Sequence, residues 1–441
     1  MKTITLLCLT PGRLADRTKP RAYASDSLIV TNVVSEGCDF FYRITRGFAH
    51  FLWRVFGGMF VRLILGLLAS YWPVAVAENQ PSDQNRMREL ISDIRTFISA
   101  PTPEAGRFYD LARRLCAFQF ERNAAYRAFC EARGVTPEKV GDVAQIPAIP
   151  TAAFKELELT LLSGTERSRV FLSSGTTEQR RSRHFHSDET LRLYEHSLLS
   201  WFEPHVCVDR SKFYFLVLGP EAGDAPNSSL VHMFETVSKR FGASVVFAGK
   251  VARDGSWILN HELIDAAELR FRDLPVVICG TAFSFVHLCD HLAETGRTLK
   301  FPEGSRVFET GGYKGRSREV TKVELHRLIT ERLSVEGKNI VTEYGMSELS
   351  SQAYDRVAGK SGERVFRFPH WARATVISAE TGVEVKEGEI GLLRIVDLAN
   401  VGSVCSVQTE DLAIRRGAGF ELLGRAELSE PRGCSLMQVH S

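Results

Sequence analysis

From Asn85 the apolar residues of NRMRELISDIRTFIS fall at helical spacing, and EAGRFYDLARRLCAFQFERNAAYRAFCEARG carries the pattern on to Gly134. The spacing predicts helix through both stretches. IPAIPTAAFKELEL, residues 146–159, then reads as a proline-punctuated connector. Beyond it, short apolar runs alternate with amphipathic stretches. The runs predict strands over residues 169–172, 212–218, 244–248, 275–279, 306–310 and 339–343. The stretches between them predict helices over 188–202, 229–241, 261–271, 283–295 and 317–333. This alternation predicts an α/β core with a largely parallel sheet. After Phe368 the texture changes to short runs broken by glycine turns, RATVISAETGVEV, EIGLLRIVDL and LAIRRGAGFELLG, which predict a small antiparallel β subdomain.

The first eighty-odd residues differ from the rest. FAHFLWRVFGGMFVRLILGLLASYWPVAVA, residues 48–77, is strongly apolar but holds Arg54 and Arg62. Its longest charge-free piece, 63–77, is short for a membrane span. Read from Met59, the segment mimics a signal peptide with a small-residue cleavage site. It reads as a membrane anchor or interfacial helix, as a packed accessory helix, or as the product of a start codon upstream of the native one. The character of the remaining chain favours the latter two. The expected organisation is an N-terminal extension over 1–82, a helical lead-in over 83–160, an α/β core over 161–360, and a β subdomain with a tail over 361–441.

Composition narrows the function. The 441 residues are 44% hydrophobic, enough for a large buried core. Lys and Arg number 55 against 53 Asp and Glu, which gives no basic footprint for nucleic acid. Nine cysteines are an odd number, and no pair is spaced C-x-x-C. That argues against a disulfide framework or zinc site, and for a reducing cytosol.

Three predicted strands end in conspicuous loops, and ligands of open α/β sheets sit at the carboxyl ends of strands. The first is Ser173, Ser174, Gly175, Thr176 and Thr177, followed by Glu178. Small side chains let backbone N–H groups close around an anion, but no Walker-type Gly-Lys-Ser/Thr follows, and such clusters are most often plain turns. Arg180, Arg181 and Arg183 either offset phosphate charge or form a solvated face. The second loop is FETGGYKGRS, where Gly311 and Gly312 permit close approach of a flat ligand, or simply make a strand-to-helix turn. The third is TEYGMSELSS. Tyr344 can stack on a base, Ser347 can hold a phosphate, and Glu348 can bind Mg²⁺. No metal-ligand spacing joins the twelve histidines, and no Gly-x-Ser-x-Gly hydrolase elbow is present.

Together these stretches resemble the adenylate-forming (acyl- and aryl-activating) superfamily. Ser173–Thr177 resembles its phosphate-binding signature, and Tyr344-Gly345-Met346-Ser347-Glu348 its Tyr-Gly-x-Thr-Glu motif. QTEDLA resembles its Thr-Gly-Asp motif, and LLGRAE its Gly-Arg hinge motif. More closely, IPAIPTAAFKELEL, PNSSLVHM, GTAFSFVHL, ETGGYKGRSRE, EYGMSELSSQAY and GFELLGRAELSEPRGCSL resemble the LuxE-type acyl-protein synthetases, the fatty-acid-activating subunit of the bacterial luminescence reductase complex. The resemblance runs from about Arg86 to the C-terminus.

It implies an adenylate-forming large domain with a small β subdomain, using ATP and Mg²⁺ to turn a carboxylic acid, such as a long-chain fatty acid, into acyl-AMP. Ser173 to Thr177 are then expected at the β/γ phosphates, with Gly311, Gly312 and Tyr313 bordering the adenine. Tyr344, with Gly345 behind it, stacks on the base. Ser347 contacts the α-phosphate, Glu348 places Mg²⁺, Asp411 binds the ribose, and Arg425 sits near ribose or phosphate. The acyl chain is expected beside Gly280, Thr281, Ala282 and Phe283, for which core packing is the plain alternative. His184, His186, His232 and His287 are further candidates for bases, or else ordinary polar residues.

Three departures bear on the reading. Glu178 stands where the superfamily usually has Gly, and Ser347 where it has Thr. The chain also stops sixteen residues after Arg425, so the C-terminal lid domain is expected to be lacking, which argues against an ordinary acyl-CoA ligase. The tail instead reads EPRGCSLMQVHS. By the resemblance Cys434 takes the acyl group as a thioester and delivers it to an acyl reductase or acyl carrier protein. Arg432 beside it would favour the thiolate. The plain alternative is an ordinary thiol near a chain terminus. Two other functions stay open: an adenylating ligase with coenzyme A or another acceptor, and an inactive adenylate-fold scaffold at a membrane.

Overall fold

The computed structural model describes residues 81–173, 180–210, 212–253, 255–311 and 320–426. The apolar segment 48–77 lies outside them. Helices α1 (Pro81–Ile98), α2 (Arg107–Arg122) and α3 (Ala124–Glu131) open the described chain. The helix expected to run unbroken to Gly134 is split at Asn123. Its backbone leaves the helical region and its side chain accepts the Tyr126 N–H at 2.9 Å, so one helix ends and another is capped. In the connector, β1 (Ile149–Pro150) and the one-turn α4 (Ala153–Glu156) follow.

A hairpin of β2 (Arg169–Leu172) and β3 (Arg183–His186) comes next, then α5 (Asp188–Val206), β4 (Phe213–Val217), α6 (Ser229–Phe241) and β5 (Gly242–Phe247). A small hairpin, β6 (Gly249–Val251) and β7 (Trp257–Leu259), leads into α7 (His261–Arg270), β8 (Val276–Thr281), α8 (Ala282–Glu294) and β9 (Arg306–Thr310). Then come α9 (Lys322–Leu333), β10 (Ile340–Tyr344) and β11 (Ala353–Tyr354). Within the described residues α9 begins at Lys322, later than the spacing predicts, because the Thr321 hydroxyl accepts the Glu324 N–H and caps it there.

Among the described residues the main sheet has six strands in the order β11-β10-β9-β8-β4-β5. All pairings are parallel except that of β11. Successive strand residues serve opposite faces. Leu216, Ile278, Val307 and Ile340 pack under α7, α8 and α9, while Phe215, Val277, Phe308 and Val341 pack under α5 and α6. Burial on both sides is why these strands read as continuous apolar runs. The β2–β3 hairpin is not part of this sheet. A four-residue apolar run cannot declare which sheet it joins.

The C-terminal third supplies β12 (Ala372–Ile377), β13 (Ile390–Asp397), β14 (Ser406–Arg416) and β15 (Gly419–Arg425). They form an antiparallel sheet that also pairs β1 with β14 in parallel. A third core joins this sheet to the first helices, with Leu111, Leu115 and Tyr126 packed among Leu393, Ile395 and Val407. Tyr344, at the end of β10 in the main sheet, belongs to this third core.

Candidate active site

Ser173 ends the β2 arm of its hairpin, and Ser182 starts the β3 arm. The Ser173 N–H donates to the Ser182 carbonyl at 3.1 Å, and the Ser182 N–H donates to Ser173 Oγ at 3.0 Å. These bonds close the neck of a loop whose residues Ser174, Gly175, Thr176, Thr177 and Glu178 lie outside the described residues. Arg180 pairs at the surface with Glu156, at 2.8 Å.

The loop after β10 meets this neck. Glu348 is buried. Ser182 Oγ donates to its Oε1, and Ser347 Oγ donates to its Oε2 at 2.9 Å. His184 Nδ1 hydrogen-bonds the Ser347 carbonyl at 2.8 Å. Burial pulls the His184 pKa down to about 4, with that hydrogen bond opposing, so the imidazole is neutral and donates.

A buried polar frame fixes this loop from behind. Asn400 Nδ2 donates to the Glu348 carbonyl at 2.8 Å and Ser350 Oγ donates to Asn400 Oδ1 at 2.6 Å. Asp397 accepts from the Ser350 N–H at 2.8 Å and from Ser351 Oγ at 2.7 Å. Gln119 of α2 donates to the Asn400 carbonyl at 2.8 Å and accepts the Cys405 N–H at 2.8 Å. Each bond satisfies a group that would otherwise cost about 1–3 kcal/mol to bury.

Tyr344 links the two sheets. Its hydroxyl donates to Asp411 Oδ2 at 2.7 Å. Arg425, the cross-strand neighbour of Asp411, lies 3.5 Å from Oδ1. The ring packs edge-on against Phe420, with centroids 5.3 Å apart. Burial, then the Asp411 charge, push the phenol pKa well above its ordinary range, so it stays a donor.

Gly311 follows β9 with φ +68°, the left-handed region that favours glycine. Gly312 and Tyr313 lie outside the described residues. Gly280 and Ala282 are packed in the core; a Cβ at Gly280 would lie 3.1 Å from Leu218. Thr281 caps α8 by accepting the Ser284 N–H at 3.0 Å. Phe283 packs on His287 at 4.3 Å. Cys434 lies outside the described residues. A cavity lined by Glu221, Val245 and Phe247 sits at the β5 edge of the main sheet, away from β10, and includes none of the residues singled out above.

Residues 111–440 match the family described as "Acyl-protein synthetase, LuxE". The chain belongs to this family. It is 24% identical over 336 residues to a long-chain-fatty-acid–luciferin-component ligase of Vibrio harveyi, covering 72% of this chain and 84% of that one. It is 21% identical over 354 residues to the protein of that name from Aliivibrio fischeri, covering 75% and 87%. Among solved structures, an open 2-hydroxyisobutyryl-CoA ligase in complex with its acyl-adenylate and CoA shares the fold. The TM-score is 0.56 at 13% identity, over 74% of this chain and 76% of that one. A second state of that ligase gives a TM-score of 0.54 at 14% identity, over 80% and 72%. The fold of this LuxE-family chain is thus the α/β fold of adenylate-forming ligases.

Not among the residues that the motifs single out are Ser182, which reaches Glu348, and Glu309 and Glu343. The last two had a signal: each is an acid at the end of a short, mostly apolar run that predicts a strand. Glu348 also fits a magnesium ion by its donors. It is a buried carboxylate beside two hydroxyls, with no Lys or Arg paired to it among the described residues. Mg²⁺ takes one or two carboxylates and completes its shell with water and phosphate. Among the described residues no group of three or more His, Cys, Asp or Glu side chains is placed to hold a metal. No described helix is long and apolar enough to cross a membrane.

Proposed function

We propose that this chain is an ATP-dependent acyl-protein synthetase that activates a long-chain fatty acid as its adenylate and passes the acyl group through Cys434. The carrying observation is the convergence of four separate motifs: Ser173 is tied to Ser182, which reaches Glu348, and Tyr344 of the same motif as Glu348 meets Asp411 and Arg425. In the first step a carboxylate oxygen of the acid attacks the α-phosphorus of ATP, and pyrophosphate leaves. Ser173 and its loop, with Ser174 to Thr177, would hold the β/γ phosphates. Ser347 lies toward the α-phosphate. Glu348 would hold Mg²⁺, which would neutralise phosphate charge. Asp411 accepts the ribose hydroxyls with Arg425 nearby, Tyr344 packs beside the base, and Gly311, Gly312 and Tyr313 would border the adenine. Such a reaction depends on positioning and charge stabilisation more than on covalent help.

In the second step the Cys434 thiolate attacks the acyl carbon, a thioester forms, and AMP leaves. The names of the Vibrio harveyi and Aliivibrio fischeri relatives, which pair a long-chain fatty acid with a luciferin component, support both the acid and a partner that receives it. An acyl reductase or an acyl carrier protein has the chemistry to be that partner. The test is incubation with ATP, Mg²⁺ and acids of graded chain length, with hydroxylamine to trap acyl-AMP. Pyrophosphate release is expected with long-chain acids. Its absence with every acid rejects the proposal.

A further inference from the structure

Glu309 and Glu343 stand on adjacent parallel strands, and both are buried. Their surroundings differ. Glu309 receives Lys322 Nζ at 2.5 Å, Thr342 Oγ1 at 3.2 Å and His326 Nε2 at 3.5 Å. Burial would raise its pKa, but Lys322 and His326 hold it at about 2. Glu343 has no cation paired to it among the described residues. Thr310 Oγ1 donates to its Oε2. Its other oxygen lies against Gly345, where a Cβ would stand only 2.1 Å from Oε1. Thr310 immediately precedes Gly311, and Gly345 immediately follows Tyr344. One carboxyl group therefore touches the start of both glycine turns at the carboxyl end of the sheet.

We infer that Glu343 is a positioning residue for the nucleotide pocket, its carboxyl group bracing the Thr310–Gly311 turn against the Gly345 turn. This rests on the adenylating reading above.

The groups facing Glu343 among the described residues account for its raised pKa. Glu309 and Thr310 come from β9, Tyr354 from β11 and Tyr194 from α5, while Lys322 and His326 of α9 are engaged with Glu309. Tyr194 and Tyr354 are pushed up by burial, with the Glu343 charge adding to it, so both phenols stay neutral. Burial raises Glu343 to about 7; the Glu309 charge adds, while the Thr310 hydroxyl and Lys322 oppose. Above that pH a second buried anion forms beside Glu309 and beside the turns that receive a polyanion. Nucleotide affinity should fall as it forms.

The experiment measures binding of a non-hydrolysable ATP analogue with Mg²⁺ to the full chain by calorimetry, with thermal melting at each pH. From about pH 6.5 to about pH 8.5, wild-type affinity is expected to fall roughly tenfold, while Glu343→Gln changes less than about twofold. Thr310→Val should move the inflection to higher pH, because it deletes the hydroxyl that favours the ionised form; this arm decides if Glu343→Gln does not fold. A wild-type slope retained in Glu343→Gln, an unmoved inflection in Thr310→Val, or a flat wild-type profile overturns the positioning role and leaves the adenylating reading standing. Absence of nucleotide binding by the wild type at every pH overturns both.

Discussion

The Tyr344 hydroxyl, at the end of a main-sheet strand, reaches the Asp411 carboxylate in the second sheet at 2.7 Å. A buried hydrogen bond to a charged acceptor is worth about 2 kcal/mol. Tyr344→Phe should lose about that much by urea unfolding and lower adenylation efficiency roughly tenfold, mainly through the KM for ATP. Unchanged stability and KM would show the link to be incidental.

Glu348 is buried, and among the described residues hydroxyls rather than a cation pair with it. Glu348→Gln should reduce pyrophosphate release on the order of a hundredfold, and added Mg²⁺ should recover part of the loss. Ser182→Ala should cost only a few-fold, since Ser347 still orients the carboxylate.

Cys434→Ser separates the two proposed steps. Hydroxylamine-trapped acyl-AMP should form at the wild-type rate, while radioactive acyl label should no longer remain on the protein. Equal labelling of variant and wild type would reject the acyl-cysteine.

Buried neutral histidines make the fold acid-sensitive. His184 titrates near 4 because of burial, and burial with neighbouring His184 and His232 pushes His186 well below its ordinary value. A depressed histidine contributes its full stability above the unfolded value near 6.5 and loses it as pH falls toward the folded one. By about pH 5, His184 alone should cost about 2 kcal/mol. His184→Asn, which keeps a donor for the Ser347 carbonyl, should flatten part of that slope in denaturant titrations.

Gly345→Ala places a methyl on Glu343 Oε1. It should destabilise by about 2 kcal/mol. Combined with Glu343→Ala the two effects should fall short of additive by more than about 1 kcal/mol. Additivity would show that the carboxylate moves aside freely.

The strands and helices of the α/β core were legible because buried strands read as short apolar runs and helices as amphipathic stretches: α6 spans 229–241 and β9 spans 306–310, as their patterns predict. The sheet to which β2 belongs was not legible, since a short apolar run carries no pairing information. At the site, the motif residues announced themselves through residue type and order. Ser182 did not, because one serine among arginines looks like any loop residue until a hairpin turns it toward Glu348. Asp397 and Asn400 were hidden likewise: their work is done by burial and by partners distant in sequence.

The Glu348 loop is steadied by Asn400, and Asn400 in turn by Gln119, 281 residues before it in the chain. Every recognisable motif lies downstream of that glutamine. A shortened version trimmed to begin after α2 would therefore keep each signature that a motif search finds and lose the strut that shapes one of them. For expression or domain-swapping work, the useful left-hand boundary is set by an unremarked amide, not by the first motif.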